Sequence, residues 1–587
     1  MITTTMDDTR HRVAADRLLV RMLRTGLVAN VVLFAVTMTS AVAMLLLPAA
    51  VAGVVDAQLA GGRGSAPLVK LAIVLVLLVA CEVAAQLAGP WCTASSAARL
   101  RHDTVGHLLR LGVRGGRSFA TGDVVSRVAT SAPEAASVIP SLIRGVSSLV
   151  TAIGGVVALG LIDIWLALTF LLGVPVGLLM VRSFVTEVTS LVMRYQVISG
   201  SVSARLTDAL AGIRTIRAAG TVDRETRRIL TPLPRLHAAG LGMWQAQGKV
   251  GWRASALAPM IQVAVLSVAG LALAEGRITA GELLSASGYA LLGLAFFEQA
   301  AVFMAVGRAR ASARRLAEVQ SEPLARTGDE GLPDGPGELV LRAVTVREGA
   351  EVVLDNVSMT VPAGSSVAVV GQSGSGKSML AAVAGRLVAA DDGDVLLDGV
   401  SLSALAPAAL RREVSYAFER PSLLGTTVAD AIALGRADAS AAKVEAAART
   451  THSAEFIRRL PRGYDTPLAQ APLSGGEAQR LGLARAVAQG GRLIILDDAT
   501  SSLDTITEQQ VSSALLSVLH GRTRLIVAHR AATAARADLV AWLENGRIRA
   551  LAPHDQLLAR PDYRRIFHTE PADGGQSREE ASWRSNP

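Results

Sequence analysis

A helical membrane half followed by an α/β half is the fold class this sequence predicts, and three observations predict it. Apolar residues make up 51% of the 587 positions and crowd into the first 310, in runs long enough to cross a bilayer. Further on, a β-branched strand enters the glycine-rich stretch "VAVVGQSGSGKSML". Later still, the apolar run of "LIILDDATSSLD" ends abruptly on two carboxylates, the pattern of a buried parallel strand that delivers charge to a sheet edge.

Six spans are expected, at roughly 26–54, 66–92, 145–161, 164–181, 254–273 and 283–306. Segments this long and this poor in charge are not core helices of a soluble protein. The third and fourth meet at Asp163 with almost no loop, which demands a tight helical hairpin. Arginines set the orientation. Arg10, Arg12, Arg17, Arg21 and Arg24 precede the first span, Arg99 to Arg127 fill the segment after the second, and Arg308 to Arg315 follow the sixth. The positive-inside rule makes those segments and everything after the sixth span cytoplasmic. The formal charge of +9 is therefore an expression of topology, and nucleic-acid binding is not expected.

Expected domains are an N-terminal segment 1–25, a transmembrane domain 26–316, a linker 317–337, a soluble domain 338–570 and a disordered tail 571–587. Helical patterning in both long inter-span segments predicts spans that continue well into the cytoplasm and turn there. Cys81 and Cys92 lie eleven positions apart on one expected helix, so neither a disulfide nor a metal site is read from them. No cleavable signal is expected at the N-terminus, and too few residues precede the first span for a fused peptidase domain.

The soluble domain carries the strongest motif. Gly371, Gln372, Ser373, Gly374, Ser375, Gly376, Lys377 and Ser378 follow a strand and open a helix, the context of a phosphate-binding loop. Its backbone N–H groups close around phosphate oxygens, Lys377 reaches the β- and γ-phosphates, and Ser378 ligates Mg²⁺. Asp497, ending the later apolar strand, is the expected second holder of Mg²⁺. Asp498, beside it, is placed to orient or deprotonate the attacking water. Between the loop and these acids lies "LSGGEAQR", Leu473 to Arg480, and after them His529 ends another apolar strand.

Together these stretches resemble the ATP-binding-cassette exporters, in particular half-transporters with six membrane helices fused to one nucleotide-binding domain. "TGDVVSR", "LAGIRTIRAAG" and "ITAGELLSASGYA" in the membrane half, with "LLDGVSL" and "GYDT" in the soluble half, fall where that family has them. The resemblance spans nearly the whole chain and implies a dimer of such halves in a bacterial cytoplasmic membrane, exporting a cargo. Each ATP would be clamped between one chain's phosphate loop and the partner's signature, here Leu473, Ser474, Gly475, Gly476 and Glu477. Ser501, Ser502, Leu503 and Asp504 would form the D-loop. Lys377, Asp497, Asp498 and His529 would serve this chain's own nucleotide, with cytoplasmic turns near 112–119 and 218–223 carrying the motion.

Departures from the family are informative. Asp498 stands where a catalytic glutamate is usual, which withdraws the carboxylate by about 1 Å, a displacement that costs on the order of 100-fold in rate. Glu419, in "YAFERPSLL", replaces the glutamine that senses Mg²⁺ and water; it can still ligate Mg²⁺, but adds a negative charge near the γ-phosphate. No aromatic residue lies in "VTVREGAEVVL" to stack on adenine, a loss of roughly 1 to 3 kcal/mol. Arg347 is the substitute stacker and Glu348 holds the aromatic's place. The stretch before the signature, "TPLAQAPLSGGE", is short and lacks the family's acidic residue. The pattern favours a slow or non-hydrolysing site on this chain within a heterodimer, an active homodimer being the alternative. Glu82, Gln86, Gln262, Glu298 and Gln299 are candidates for the cargo path, with helix–helix hydrogen bonds the competing role. An importer on the same fold, or a membrane-anchored ATP sensor, would carry the same motifs.

Overall fold

The computed structural model describes residues 2–61, 64–117, 119–324, 327–436 and 439–567. They divide into two compact units, one lying within 1–109 and 119–322 and the other within 110–118 and 323–587. The tail expected at 571–587 lies outside the described residues.

Among the described residues the regular elements of the first unit are helices. Ile2–Thr25 is helical, so the N-terminal segment is an element in its own right, and Leu27–Leu59 follows it after one residue. Three very long helices come next, Ala66–Arg117 of 52 residues, Ile164–Ala211 of 48 and Leu233–Ala274 of 42. At 1.5 Å per residue the middle one is about 70 Å long, more than twice the ~30 Å hydrocarbon layer. Spans therefore extend far beyond the membrane. The first of the three breaks at Gly112 (φ 72°), and the expected second turn is made by helices Ile213–Ala218 and Val222–Leu230 around Gly220 (φ 65°).

Four helices among the described residues are long and apolar enough to cross a membrane. Two shorter apolar helices, Ile164–Gly177 and Ala280–Phe296, fall on the expected fourth and sixth spans. The hairpin at Asp163 is present: its backbone is extended (φ −157°, ψ 131°), its carboxylate caps Trp165 N–H at 2.9 Å, and it pairs with Arg277. The sixth span departs from the expected unbroken helix. It runs as Ala280–Gly293, tightens into a 3₁₀ turn at Leu294–Glu298, and resumes as Gln299–Ser321. The tightening begins where Gly293 seats against the ring of Phe170, where a Cβ would lie 2.6 Å from Cζ.

Small residues set the helix spacing. A Cβ on Gly281 would lie 2.4 Å from the Ala52 carbonyl oxygen, and Asp56 accepts from Gly281 N–H at 2.8 Å and Thr279 Oγ1 at 2.7 Å. Gly281→Val is expected to cost about 1 to 3 kcal/mol through this clash, read as a lowered unfolding midpoint in detergent.

The second unit is α/β. Strands β1 (Leu339–Glu348), β2 (Glu351–Val361), β4 (Asp392–Leu397) and β5 (Val400–Ser401) form an antiparallel sheet ordered β2-β1-β4-β5. With them β3 (Ser366–Val370), β6 (Val414–Phe418), β7 (Leu493–Asp497), β8 (Thr523–Val527), β9 (Leu539–Glu544) and β10 (Arg547–Ala552) form the main sheet, ordered β10-β9-β3-β8-β7-β6. Its five strands β9 to β6 are parallel, and β3 is buried at every position, as its apolar run demands. The 327–337 stretch is held by this unit: Glu330 N–H donates to Ala404 O at 3.0 Å and Arg492 to Pro333 O at 2.8 Å.

Candidate ATP site

The carboxyl ends of β3, β7 and β8, together with the end of β6, meet at one crevice, the place where open parallel sheets gather ligands. The phosphate loop leaves β3 and enters helix Lys377–Ala384. Gly374 (φ 82°) and Gly376 (φ 99°) take backbone conformations that side chains resist, and a Cβ on Gly371 would lie 2.1 Å from Leu543 O. Lys377 folds back over the loop, its Nζ donating to Gly371 O and Gln372 O, each at 2.9 Å. Burial pulls the Lys377 ammonium below its usual range, and Asp498 and Asp497 oppose that shift. Ser375 Oγ is buried without a partner, an orphan that a phosphate oxygen would satisfy.

Ser378 Oγ donates to Asp497 Oδ1 at 2.9 Å. This pair, a hydroxyl and a carboxylate at the loop's end, is an oxygen donor set that fits Mg²⁺ completed by nucleotide oxygens and water. The described residues hold no cluster of three His, Cys, Asp or Glu suited to a metal.

Register brings the acids together. Phe418 pairs with Asp497 across β6 and β7, so Glu419 and Asp498 leave adjacent strand ends. Burial raises the Asp497 carboxyl above its usual range, and Asp498 and Glu419 add to the shift. Asp498 is raised as well, first by burial. Its backbone is left-handed (φ 48°), a conformation that Asp tolerates better than most residues. Its Oδ2 stands 3.9 Å from His529 Nε2, beyond hydrogen-bond length. Glu419 is half exposed, 3.7 Å from Arg420 Nε. Because both Asp pKa values are raised on folding, the nucleotide-free protein is stabilised below the ordinary Asp range and loses that stability as pH rises through the raised values. Asp497→Asn is therefore expected to raise the unfolding midpoint near pH 7 without nucleotide, measured by differential scanning fluorimetry.

Helix Gly475–Gln489 opens on a capping box: Ser474 Oγ accepts from Glu477 N–H at 3.3 Å and Glu477 Oε2 accepts from Ser474 N–H at 2.8 Å. That backbone bond holds the Glu477 carboxyl below its usual range, against the opposing effect of burial. Ser474 and Gly475 are exposed at the helix start, where N–H groups and the helix dipole receive anions. Leu473, Ser474 and Gly476 flank that start, and in the D-loop Leu503 is buried while Asp504 caps helix Thr505–Val518 at Thr507 N–H, 3.0 Å.

Two residues in this region escape sequence reading. Gln479 is 1% exposed, and its amide donates to Glu419 O at 2.9 Å and Ser501 Oγ at 3.1 Å while its Oε1 accepts from Ser502 N–H at 2.9 Å. One side chain thus ties the β6 end to the D-loop. Glu508 accepts from Arg530, and from Thr500 Oγ1 at 3.2 Å, joining the turn after His529 to the residue that precedes the D-loop. Gln479→Leu leaves those partners unpaired and is expected to lower stability by about 2 to 4 kcal/mol, again read as an unfolding midpoint.

Arg347, the expected substitute for the adenine-stacking aromatic, is engaged with Asp392 at 2.8 Å, and the neighbouring Glu348 ends β1. In the membrane unit Glu82 and Gln86 line one cavity of about 700 Å³ with Arg101 and Arg144, and Gln86 donates to Glu82 at 2.9 Å. Gln262 bonds Ser287 Oγ and Gln299 bonds Gly145 O, each at 3.1 Å, so both join helices. The Glu298 side chain lies outside the described residues.

Residues 354–501 match the ABC transporter family and residues 30–294 match the ABC transporter transmembrane region. The "ABC transporter ATP-binding protein RamA" of Streptomyces coelicolor is 43% identical over 92% of this chain and 85% of its own length. The chain belongs to the ABC transporter family. This ABC transporter is also 32% identical to the "ATP-dependent lipid A-core flippase" of Chromohalobacter salexigens, over 78% of this chain and 81% of that one. Its fold matches the structure of a bacterial Atm1-family ABC exporter with ATP bound at TM-score 0.77 and 24% identity, covering 93% of this chain and 99% of that one. It joins an ABC ATP-binding domain to an ABC transmembrane domain in one chain, with the fold of that exporter.

Proposed function

We propose that this chain is one half of a heterodimeric bacterial exporter, seated in the cytoplasmic membrane with its nucleotide-binding domain inside, whose own ATP site holds nucleotide and hydrolyses it slowly. The observation that carries this reading is the short Asp498 carboxylate, 3.9 Å from His529, with the acid Glu419 beside it. A water placed by Asp498 would sit away from the γ-phosphate, and Glu419 adds charge where a neutral amide would do no harm. Lys377 and the loop N–H groups hold the phosphates. Ser378, Asp497 and Glu419 are the residues to hold Mg²⁺, which when bound would neutralise phosphate charge. The signature from Leu473 to Glu477 would complete a competent site with the partner chain's loop.

The cavity holding Glu82 and Gln86 supports a polar or amphiphilic cargo, a small molecule, peptide or lipid; the relatives named for a lipid flippase fit that range. The test is Mg-ATP turnover in lipid nanodiscs by this chain alone and co-expressed with a second half-transporter. Bound ATP with negligible turnover alone, rescued by the partner, supports the reading. Brisk turnover alone would establish an active homodimer instead.

A further inference from the structure

A second polar cavity, of about 490 Å³, lies at the arginine-bearing end of the first two spans and takes no part in the ATP site. It is lined by Leu18, Arg21 and Met22 of the N-terminal helix and by Ser96, Arg99 and His102 of the helix Ala66–Arg117, with Asp103 and Gln320 also on its wall. Among the described residues no carboxylate comes within ion-pair distance of Arg21 or Arg99; Arg99 donates only to Ser96 Oγ, at 3.1 Å. A neighbouring side chain beside Arg99 also lacks a partner. Asn30, 92% buried by its 8% exposure, leaves its Nδ2 without any acceptor. Asn30 Nδ2 and Arg99 Nη2 crowd the same point beside Gly26, 3.2 and 3.3 Å from where a Cβ would stand.

Two arginines and His102 outweigh the one carboxylate of the wall, Asp103, and with Leu18, Met22 and Leu100 they favour an acceptor-rich anion with an apolar side. We propose that this cavity binds a phosphate-bearing anion at the membrane boundary, the headgroup of an anionic lipid being its source. Guanidinium groups bind phosphate oxygens two at a time, and arginines at this depth keep their apolar stems in the hydrocarbon edge. A bound headgroup would tie the N-terminal helix to the second span.

The full-length chain is purified from nanodiscs of equal parts phosphatidylcholine and phosphatidylglycerol, and the lipids that stay bound are counted by native mass spectrometry. In parallel, inorganic phosphate is titrated into protein in phosphatidylcholine discs while the unfolding midpoint is followed. Arg21→Gln with Arg99→Gln is expected to weaken phosphatidylglycerol retention by about 30-fold, two arginine contacts' worth. Asn30→Leu, which keeps both arginines and removes the orphan donor, is expected to weaken it by a smaller factor. ATP binding at the Lys377 loop reports that each variant is folded. A phosphate-dependent midpoint shift in the unmodified chain that the double variant loses, without phosphatidylglycerol preference, would identify a free phosphate as the source. Equal lipid retention and an equal phosphate response in both proteins would overturn the proposal.

Discussion

Replacing Asp498 by Glu together with Glu419 by Gln is expected to raise ATP turnover at this chain's own site by about 10- to 100-fold. The added methylene returns the carboxylate by about 1 Å, toward both the water position and His529, now 3.9 Å away. The second change removes one of three acids that crowd the strand ends, where burial raises the Asp497 carboxyl and the repulsion of Asp498 and Glu419 adds to it. A Glu at φ 48° is strained by about 1 kcal/mol, but that cost falls on stability rather than on turnover. Single-turnover hydrolysis of ATP trapped in the co-expressed complex measures the effect at this site. An unchanged rate would mean that something other than carboxylate reach limits it.

The second large effect is an asymmetry between the two halves of the site machinery. Gly475→Asp is expected to lower the complex's steady-state hydrolysis by about 1,000-fold, whereas Asp498→Asn lowers it less than threefold. Gly475 opens the exposed start of a 15-residue helix, where a nucleotide phosphate would rest on free N–H groups. A carboxylate about 4 Å from that phosphate repels it by about 4 kcal/mol at an effective dielectric near 20. Asp498→Asn removes a group that, on the proposed reading, turns over little. Phosphate release by each variant complex decides it, and equal damage from both variants would point to two equivalent active sites.

Much of the site was legible in sequence because its chemistry is local. The loop Gly371 to Ser378 needs glycines at fixed offsets, and the run from Leu493 to Asp498 announces a buried strand ending in acid. Membrane spans were legible for the same reason: hydropathy is a property of contiguous residues. The sixth span was not, because its break at 294–298 follows a glycine seated against Phe170 on another helix, a contact with no mark in the local pattern.

What the sequence determined by itself, then, is the order of spans and soluble domain, the phosphate loop with its lysine, and the acids Asp497 and Asp498 that end an apolar run. Those are statements about residue type and spacing. Only the tertiary structure decided that Glu419 and Asp498 leave adjacent strands, that Ser378 touches Asp497, and that Gln479 binds the β6 end and the D-loop at once. Each depends on strand register or on packing between segments separated in sequence, by 60 residues for Gln479 and Glu419 and by 23 for Gln479 and Ser502, and such pairing is fixed by the fold as a whole.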